Sequence, residues 1–172
     1  LFKKQMRNAL SYRTAKGPQI NLFREEISSG ASDSVSTFLH ETYSMNHRMG
    51  LVSFNAVQDS VERKNSNGEE ERVETQTLHF DTDAAKKIAL VGDIKKVQNS
   101  NGEYEDNQTL KLNARVNDQM TLTGLRTTIK TNSREYEAQE LGLTGKLSKG
   151  MNFTAKFGQA VDNGHMVGKS HE

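Results

Sequence analysis

Apolar and polar residues alternate along much of the chain. The alternation is clearest between Leu110 and Val116, where Lys111, Asn113 and Arg115 separate apolar or small residues. Successive side chains of a β-strand point to opposite faces, so this pattern predicts strands with one apolar and one polar face. An α-helix would scatter the same residues around its axis, because it has 3.6 residues per turn.

The pattern predicts an all-β fold, an antiparallel up-and-down meander of about ten strands. We expect strands over 5–15, 19–28, 33–45, 49–61, 71–82, 87–98, 106–117, 120–131, 137–148 and 151–161. Short turn-like segments follow every second strand, and sequential strands joined in this way pair antiparallel. Such a meander is expected to close as a β-barrel or to form part of a larger one.

Short repeats mark the other connections. The string Asn-Ser-Asn-Gly-Glu occurs at 65–69 and again at 99–103, and Gln-Thr-Leu follows each copy. Similar features recur at roughly 32 residues, a period typical of an array of one supersecondary unit. Asn67-Gly68 and Asn101-Gly102 are strong signals for hairpin tips. We therefore predict hairpin repeats in which short turns alternate with longer polar loops.

The chain is expected to form a single β-meander domain over 1–172. The pattern is weakest over 1–45, where 28–34 has the composition of a flexible loop. Residues 162–172 are expected to form a flexible tail.

Composition narrows the function classes. Lys plus Arg is 23 and Asp plus Glu is 22, so the net charge is +1, and no nucleic-acid partner is expected. Cysteine is absent, which excludes disulfides and thiol chemistry. Only 33% of residues are hydrophobic and the mean hydropathy is -0.77, which predicts a thin core or one narrow apolar face.

The direction of the apolar face separates three hypotheses. If that face is turned outward, the chain is an outer-membrane-type β-barrel, or a segment of one, acting as a passive channel or envelope scaffold. If it is turned inward, the chain is a soluble barrel or sheet that binds a lipid or another apolar ligand. A structural repeat protein that assembles through its sheet edges is the third. The small residues Gly92, Gly124 and Gly145 favour the first, because they fill a protein core poorly.

The first hypothesis predicts a lipid bilayer as partner, together with other envelope protein chains. It places the protein in the bacterial outer membrane, and otherwise the chain is expected to be secreted or periplasmic.

Candidate sites are confined to the polar face. The residues expected to line a lumen are Asp93, Lys95, Lys111, Asn113, Arg115, Lys146 and Lys156. No catalytic residue, metal ligand or cofactor is predicted, because no nucleophile, base and orienting group occur together in a known spacing. The sequence therefore predicts that the chain is not an enzyme.

Overall fold

The computed structural model describes residues 2–31, 34–82, 87–148 and 150–171, and it confirms the all-β antiparallel meander. Eleven strands follow in chain order: β1 (Phe2–Arg13), β2 (Gln19–Ala31), β3 (Ser34–Met49), β4 (Val52–Lys64), β5 (Glu70–Thr82), β6 (Ile88–Asn99), β7 (Tyr104–Asn117), β8 (Met120–Thr131), β9 (Glu135–Ser148), β10 (Met151–Asp162) and β11 (His165–His171). Each strand pairs antiparallel with the next, so that the spatial order in the sheet equals the order in sequence. Within the described ranges, no helix is long and apolar enough to span a membrane.

The sheet has two ends, which we name by their connections. The turn end carries the connections after the odd-numbered strands, including 50–51 and 118–119. The Asn-Gly end carries the connections after the even-numbered strands, including 65–69 and 100–103. Connections outside the masked residues are two to five residues long at both ends, which differs from the predicted contrast between short and long connections. Many residues of the predicted polar loops belong to strands, because their backbone pairs with the neighbouring strand.

The two hairpin tips built from the repeated string have the same geometry. Gly68 and Gly102 adopt φ of 83° and 85°, a conformation that only glycine adopts without strain. The Asn65 N–H donates to Glu69 O (3.0 Å), and the Asn99 N–H donates to Glu103 O (2.9 Å). Each Asn–Glu pair therefore closes a three-residue tip whose last residue is the glycine, the arrangement of a type I turn with a bulge.

The Asn-Gly end is also joined from hairpin to hairpin. The Tyr104 N–H donates to Asn132 Oδ1 (2.6 Å), 28 residues along the chain. The same offset separates the Arg72 N–H from Ser100 Oγ (3.0 Å) and the Glu135 N–H from Asn163 Oδ1 (2.8 Å). In these three connections a polar side chain thus accepts a hydrogen bond from the backbone of the strand that follows the preceding connection at the same end. These bonds satisfy backbone donors that would otherwise be left at the strand ends.

Residues 165–171 form β11, although the sequence predicted a flexible tail over 162–172. The reason lies in Asn163-Gly164, where both residues have positive φ, of 48° and 78°. Two consecutive residues with positive φ form the tight turn that suits a two-residue hairpin, and Asn-Gly is its preferred sequence. β10 ends just before this turn, and the residues that follow the turn form β11, which pairs antiparallel with β10.

Register divides the strand residues into two faces, because directly opposed residues point to the same side of a sheet. What we call the banded face holds the even-numbered residues of β1, β2 and β4 to β8 and the odd-numbered residues of β3, β9 and β10, apart from the register irregularities at 115–117 and 151–152. What we call the polar face holds the other residues of β1 to β10. On the banded face, for example, Leu10 of β1 is opposed to Leu22 of β2, and Leu22 is opposed to Tyr43 of β3.

Neither face is covered by a second layer. The described residues include no buried apolar side chain, and the chain exposes 12159 Å². A compact folded protein of this mass exposes about 8,400 Å² by the usual scaling of area with mass. The sheet therefore has no hydrophobic core of its own, and its large apolar side chains need another environment to cover them.

The tip glycines give a test of the fold. Nothing lies within 4 Å of a Cβ built at Gly102, so Gly102→Ala adds no clash and only forces alanine into positive φ. We expect a loss of about 1–2 kcal/mol in the free energy of unfolding, measured by urea denaturation.

Gly168→Ala is the matched control, because this glycine is equally open but has no positive φ. It should change the free energy of unfolding by less than about 0.5 kcal/mol. Equal losses in the two variants would contradict the tip geometry.

Candidate functional site

All seven residues predicted to line a lumen lie on the polar face. Lys111, Asn113 and Arg115 follow one another at alternate positions of β7. Lys111 lies between Val91 and Leu125 on the neighbouring strands, and Asn113 lies between Ala89 and Thr123. Asp93 and Lys95 lie on β6, Lys146 on β9 and Lys156 on β10. The structure therefore places these side chains on one surface, and their role as a lumen lining stays a prediction.

Asp93 and Arg115 each have a partner close by in register or in sequence. Asp93 Oδ1 lies 2.6 Å from His79 Nδ1, its cross-strand neighbour. Arg115 Nη2 donates to Asp118 Oδ1 (3.0 Å) in the turn that follows β7. Lys156 lies opposite Gly142, and a Cβ on Gly142 would be in ordinary contact with Lys156 Cγ, at 3.8 Å.

The half of the polar face nearest the turn end is rich in positive charge. Its strands carry the cations Arg13, Arg48, Lys111, Arg115, Lys146 and Lys156. Asp81 and Asp93 are the carboxylates in the same half of the described strands, and Asp93 is engaged with His79. A surface with this excess attracts anions at the ranges set by salt screening.

A second polar cluster lies on the same face in β1 to β4. His40 Nε2 lies 2.7 Å from Asp59 Oδ1, and the Thr42 hydroxyl donates to the same oxygen at 2.7 Å. Glu25 is opposed to His40 and forms an ion pair with Arg7 at 2.5 Å. A carboxylate bonded in this way fixes the orientation of the imidazole ring.

Sequence reasoning misses this cluster for two reasons. His40 and Asp59 are 19 residues apart, so that only the register of β3 and β4 brings them together. The polar face also carries Phe23 and Phe38 here, whose rings lie edge-on to the His40 ring at 5.6 and 6.3 Å between centroids. Apolar residues on both faces weaken the period of two. Within the described ranges, no group of three or more His, Asp or Glu side chains is placed to hold a metal ion.

Large exposed apolar side chains are almost confined to the banded face. In β1 to β10 they include Leu10 (62% exposed), Ile88 (60%) and Leu141 (51%), all on that face. Among the described residues of these strands, Leu125 (38%) is the exception on the polar face. Two glycines of the banded face lie under aromatic rings, Gly92 under the ring of Phe80 and Gly145 under the ring of Phe153. The apolar residues therefore form a continuous band across the sheet, on the side of the turn end.

The border of this band runs diagonally across the rows of opposed residues. Arg24 of β2 is the first polar residue beyond the band and is opposed to Glu41, the first in β3. From there the border moves two residues toward the turn end at each of three strand pairs. Tyr43 is opposed to Gln58, Ile94 to Gln108, and Leu110 to Arg126. The displacement is thus six residues between β2 and β10.

Beyond the band the banded face is lined with ion pairs. Arg24 lies 3.5 Å from Glu41, Lys96 lies 3.5 Å from Asp106, and Lys130 lies 2.5 Å from Glu135. Most of these groups are well exposed, and such pairs contribute little stability. Their position marks where the banded face changes from apolar to charged side chains.

Asp106 is the buried member of this set, at 5% exposed. Burial raises the pKa of its carboxyl, but hydrogen bonds from Gln108 and Tyr104 and the charge of Lys96 outweigh that effect and hold the pKa below its usual value. The Gln108 Nε2 donates at 3.2 Å and the Tyr104 hydroxyl at 3.0 Å. The ionised carboxylate is therefore the form that the fold stabilises.

A lowered pKa in the folded state means that Asp106 adds stability above its unfolded pKa and loses it as the pH falls through the folded pKa. We expect Asp106→Asn to lower the free energy of unfolding by roughly 1–3 kcal/mol at pH 7. The difference from the wild type should shrink below about pH 4, the unfolded value for aspartate. Urea midpoints of the wild type and the variant between pH 7 and pH 3 give this difference in stability, and Glu70→Gln, at an exposed position, is the control. A difference that is constant with pH would contradict this account.

No protein-family model matches the chain, and no curated protein matches it. A solved structure, LpxR from Salmonella typhimurium, matches 92% of this chain and 87% of its own length, with 8% identity and a TM-score of 0.33. LpxR is an enzyme. On this comparison, the prediction that the chain is not an enzyme is withdrawn. At this level of likeness the comparison assigns no activity to the chain.

Proposed function

We propose that the chain forms the wall, or a segment of the wall, of an outer-membrane β-barrel that acts as a passive channel or envelope scaffold. Its banded face lies against lipid, and its polar face lines the interior. The observation that carries the proposal is the distribution of exposed apolar side chains, which lie almost entirely on one face of an uncovered sheet. Such a sheet has unpaired edges and an uncovered apolar face. Closing into a barrel removes the edges, and lipid covers the apolar face.

The diagonal border of the band supports this proposal. Six residues at about 3.3 Å each give about 20 Å, and eight strand spacings of about 4.8 Å give about 38 Å. The border is thus inclined by about 27° to the rows of opposed residues, which themselves run across the strands. A lipid boundary is flat, so this inclination corresponds to a strand tilt of the same size. Strands of membrane barrels tilt by about 35–45°, so the inclination of this border is smaller than that range but corresponds to strands that are tilted.

The height of the band is compatible with a thin bilayer. Leu110 to Val116 covers six residue steps, which is about 20 Å along the strand at 3.4 Å per residue and about 18 Å along the membrane normal at a tilt of 27°. Outer-membrane barrels carry an apolar band about 25 Å tall. The strands are 12 to 16 residues long in β1 to β10, longer than the 9–11 needed to span, so their Asn-Gly ends would project beyond the lipid.

The charge of the polar face supports a preference for anions. Its turn half carries six cationic residues against two carboxylates in the described strands. Rings of charged side chains bias the passage of ions of opposite sign in water-filled pores. A channel formed by this face should therefore favour anions.

A matched pair of variants tests which face meets lipid. Leu112 and Asn113 are adjacent on β7 and lie on opposite faces. Leu112→Arg should lower the free energy of unfolding in detergent or lipid by about 2–4 kcal/mol, the cost of a lipid-facing arginine at mid-depth, whereas Asn113→Arg should have little effect.

The readouts are extraction from membranes and gel migration before and after boiling. The wild type should be extracted only with detergent and migrate faster before boiling, and Leu112→Arg should weaken the fast band. Equal effects of the two variants would contradict the proposed orientation. A wild type that is soluble without detergent would favour a soluble sheet holding an apolar ligand if monomeric, or assembly through edges if polymeric.

The second test measures ion preference in a planar bilayer under a salt gradient. The reversal potential of the wild type should indicate anion preference, and Lys111→Glu combined with Arg115→Glu should shift it toward cations. Arg126→Glu, on the banded face, is the control and should leave the potential unchanged. If the wild type shows no conductance, the channel role is excluded and the role of envelope scaffold is left. A cation preference would contradict the assignment of the polar face as the pore lining.

A further inference from the structure

The first and last strands of the sheet each pair on one side within the described residues. β1 pairs with β2, and β11 pairs with β10. No pairing joins β1 to β11 in the described part of the chain. The outer edge of each strand therefore presents a row of N–H and C=O groups, which in a membrane need partners.

The directions of these two strands decide what can pair with them. Ten successive antiparallel pairings relate β1 to β11, so both run from the Asn-Gly end toward the turn end. Direct closure would place them parallel, in a sheet whose other pairings are all antiparallel. Single-chain barrels of bacterial outer membranes have even numbers of strands, which keeps every pairing antiparallel.

Charge also opposes direct contact between the two edges. β1 carries Lys3, Lys4, Arg7 and Arg13 and no acidic residue. β11 carries Lys169 and also has no acidic residue. Like charges on neighbouring strands are destabilising when they are opposed, and lysine on an edge is a common protection against unwanted pairing.

We propose, building on the proposed function, that an odd number of further strands, at least one, separates β11 from β1 in the closed barrel. The strand that pairs with β1 runs from the turn end to the Asn-Gly end. It places apolar side chains beside Leu10 and Tyr12 on the banded face and acidic side chains near Lys3 or Arg13 on the polar face.

A second copy of this segment cannot be that neighbour in a membrane. Copies related by an axis along the membrane normal keep their turn ends on one side, so β11 of one copy would again lie parallel to β1 of the next. Copies related by an axis in the membrane plane would put the turn ends on opposite sides. The neighbouring strand must therefore have a different sequence from β1 to β11.

Disulfide trapping tests the proposal cleanly, because the chain has no cysteine. In the membrane-inserted protein, Ser170→Cys is combined in turn with Arg7→Cys, Ala9→Cys and Ser11→Cys on β1. With a strand between them, the edges are about 10 Å apart, beyond the 7 Å that a disulfide tolerates between Cα atoms. We expect intramolecular disulfide yields at least about tenfold below those of the control.

The control pair is Gly158→Cys with Ser170→Cys. These positions are opposed across β10 and β11, and a Cβ at Gly158 would lie 2.7 Å from Ser170 Oγ. The same β11 cysteine therefore reports on a known neighbour, and the control should form a disulfide efficiently.

Hydrogen exchange of β1 supplies the complementary measurement. The amides of β1 that point away from β2 should exchange as slowly as those of the central strands. A disulfide between β1 and β11 at the yield of the control would overturn the proposal by showing direct closure. Absent disulfides with rapid exchange at those amides would overturn it by showing an open edge. A protein that is soluble without detergent would instead refute the proposed function.

Discussion

The structure depends on one constraint: a single β-sheet has two faces, and this chain provides nothing to cover either of them. The backbone is well paired, because every strand is bonded to the next. The apolar side chains of the banded face remain in contact with solvent, at up to 62% exposure for Leu10. Exposed apolar surface costs about 25 cal/mol per Å², so a face of this extent is stable only against lipid, a ligand or another protein surface.

The geometry of the band narrows that choice. Alternation places apolar residues on one face, register aligns them between strands, and the border then moves stepwise toward the turn end from β3 to β8. The proposed bilayer accounts for this shift, because tilted strands that cross a flat boundary produce a diagonal border. The ion pairs beyond the border, such as Lys96 with Asp106, are then in water, where they cost little.

Much of the fold can be predicted from the sequence, because strands and tips are local features. The alternation from Leu110 to Val116 and the Asn-Gly pairs identify strands, their faces and the tips at Gly68 and Gly102. The sequence does not predict β11, although Asn163-Gly164 is the same hairpin signal, because the seven residues after it have little apolar alternation.

Features that depend on register could not be predicted. The contact between His40 and Asp59 needs the pairing of β3 with β4, which the sequence does not specify by itself. The inclination of the band needs the pairing of all strands together. The predicted contrast in connection lengths failed because polar residues on both faces resemble a loop in sequence, whereas their backbone extends the strands, as in β7 from Tyr104 to Gln108.

The most direct test of the account is the environment of each β7 side chain in the membrane-inserted protein. Single cysteines introduced from 104 to 116 carry a nitroxide label, and its collisions with oxygen and with a water-soluble nickel complex are compared by spin resonance. The account predicts high oxygen accessibility at 110, 112, 114 and 116, low oxygen accessibility at 111, 113 and 115, and water accessibility on both faces at 104 to 108. Oxygen accessibility at the odd positions, or no alternation between 110 and 116, would contradict the claim that the banded face meets lipid.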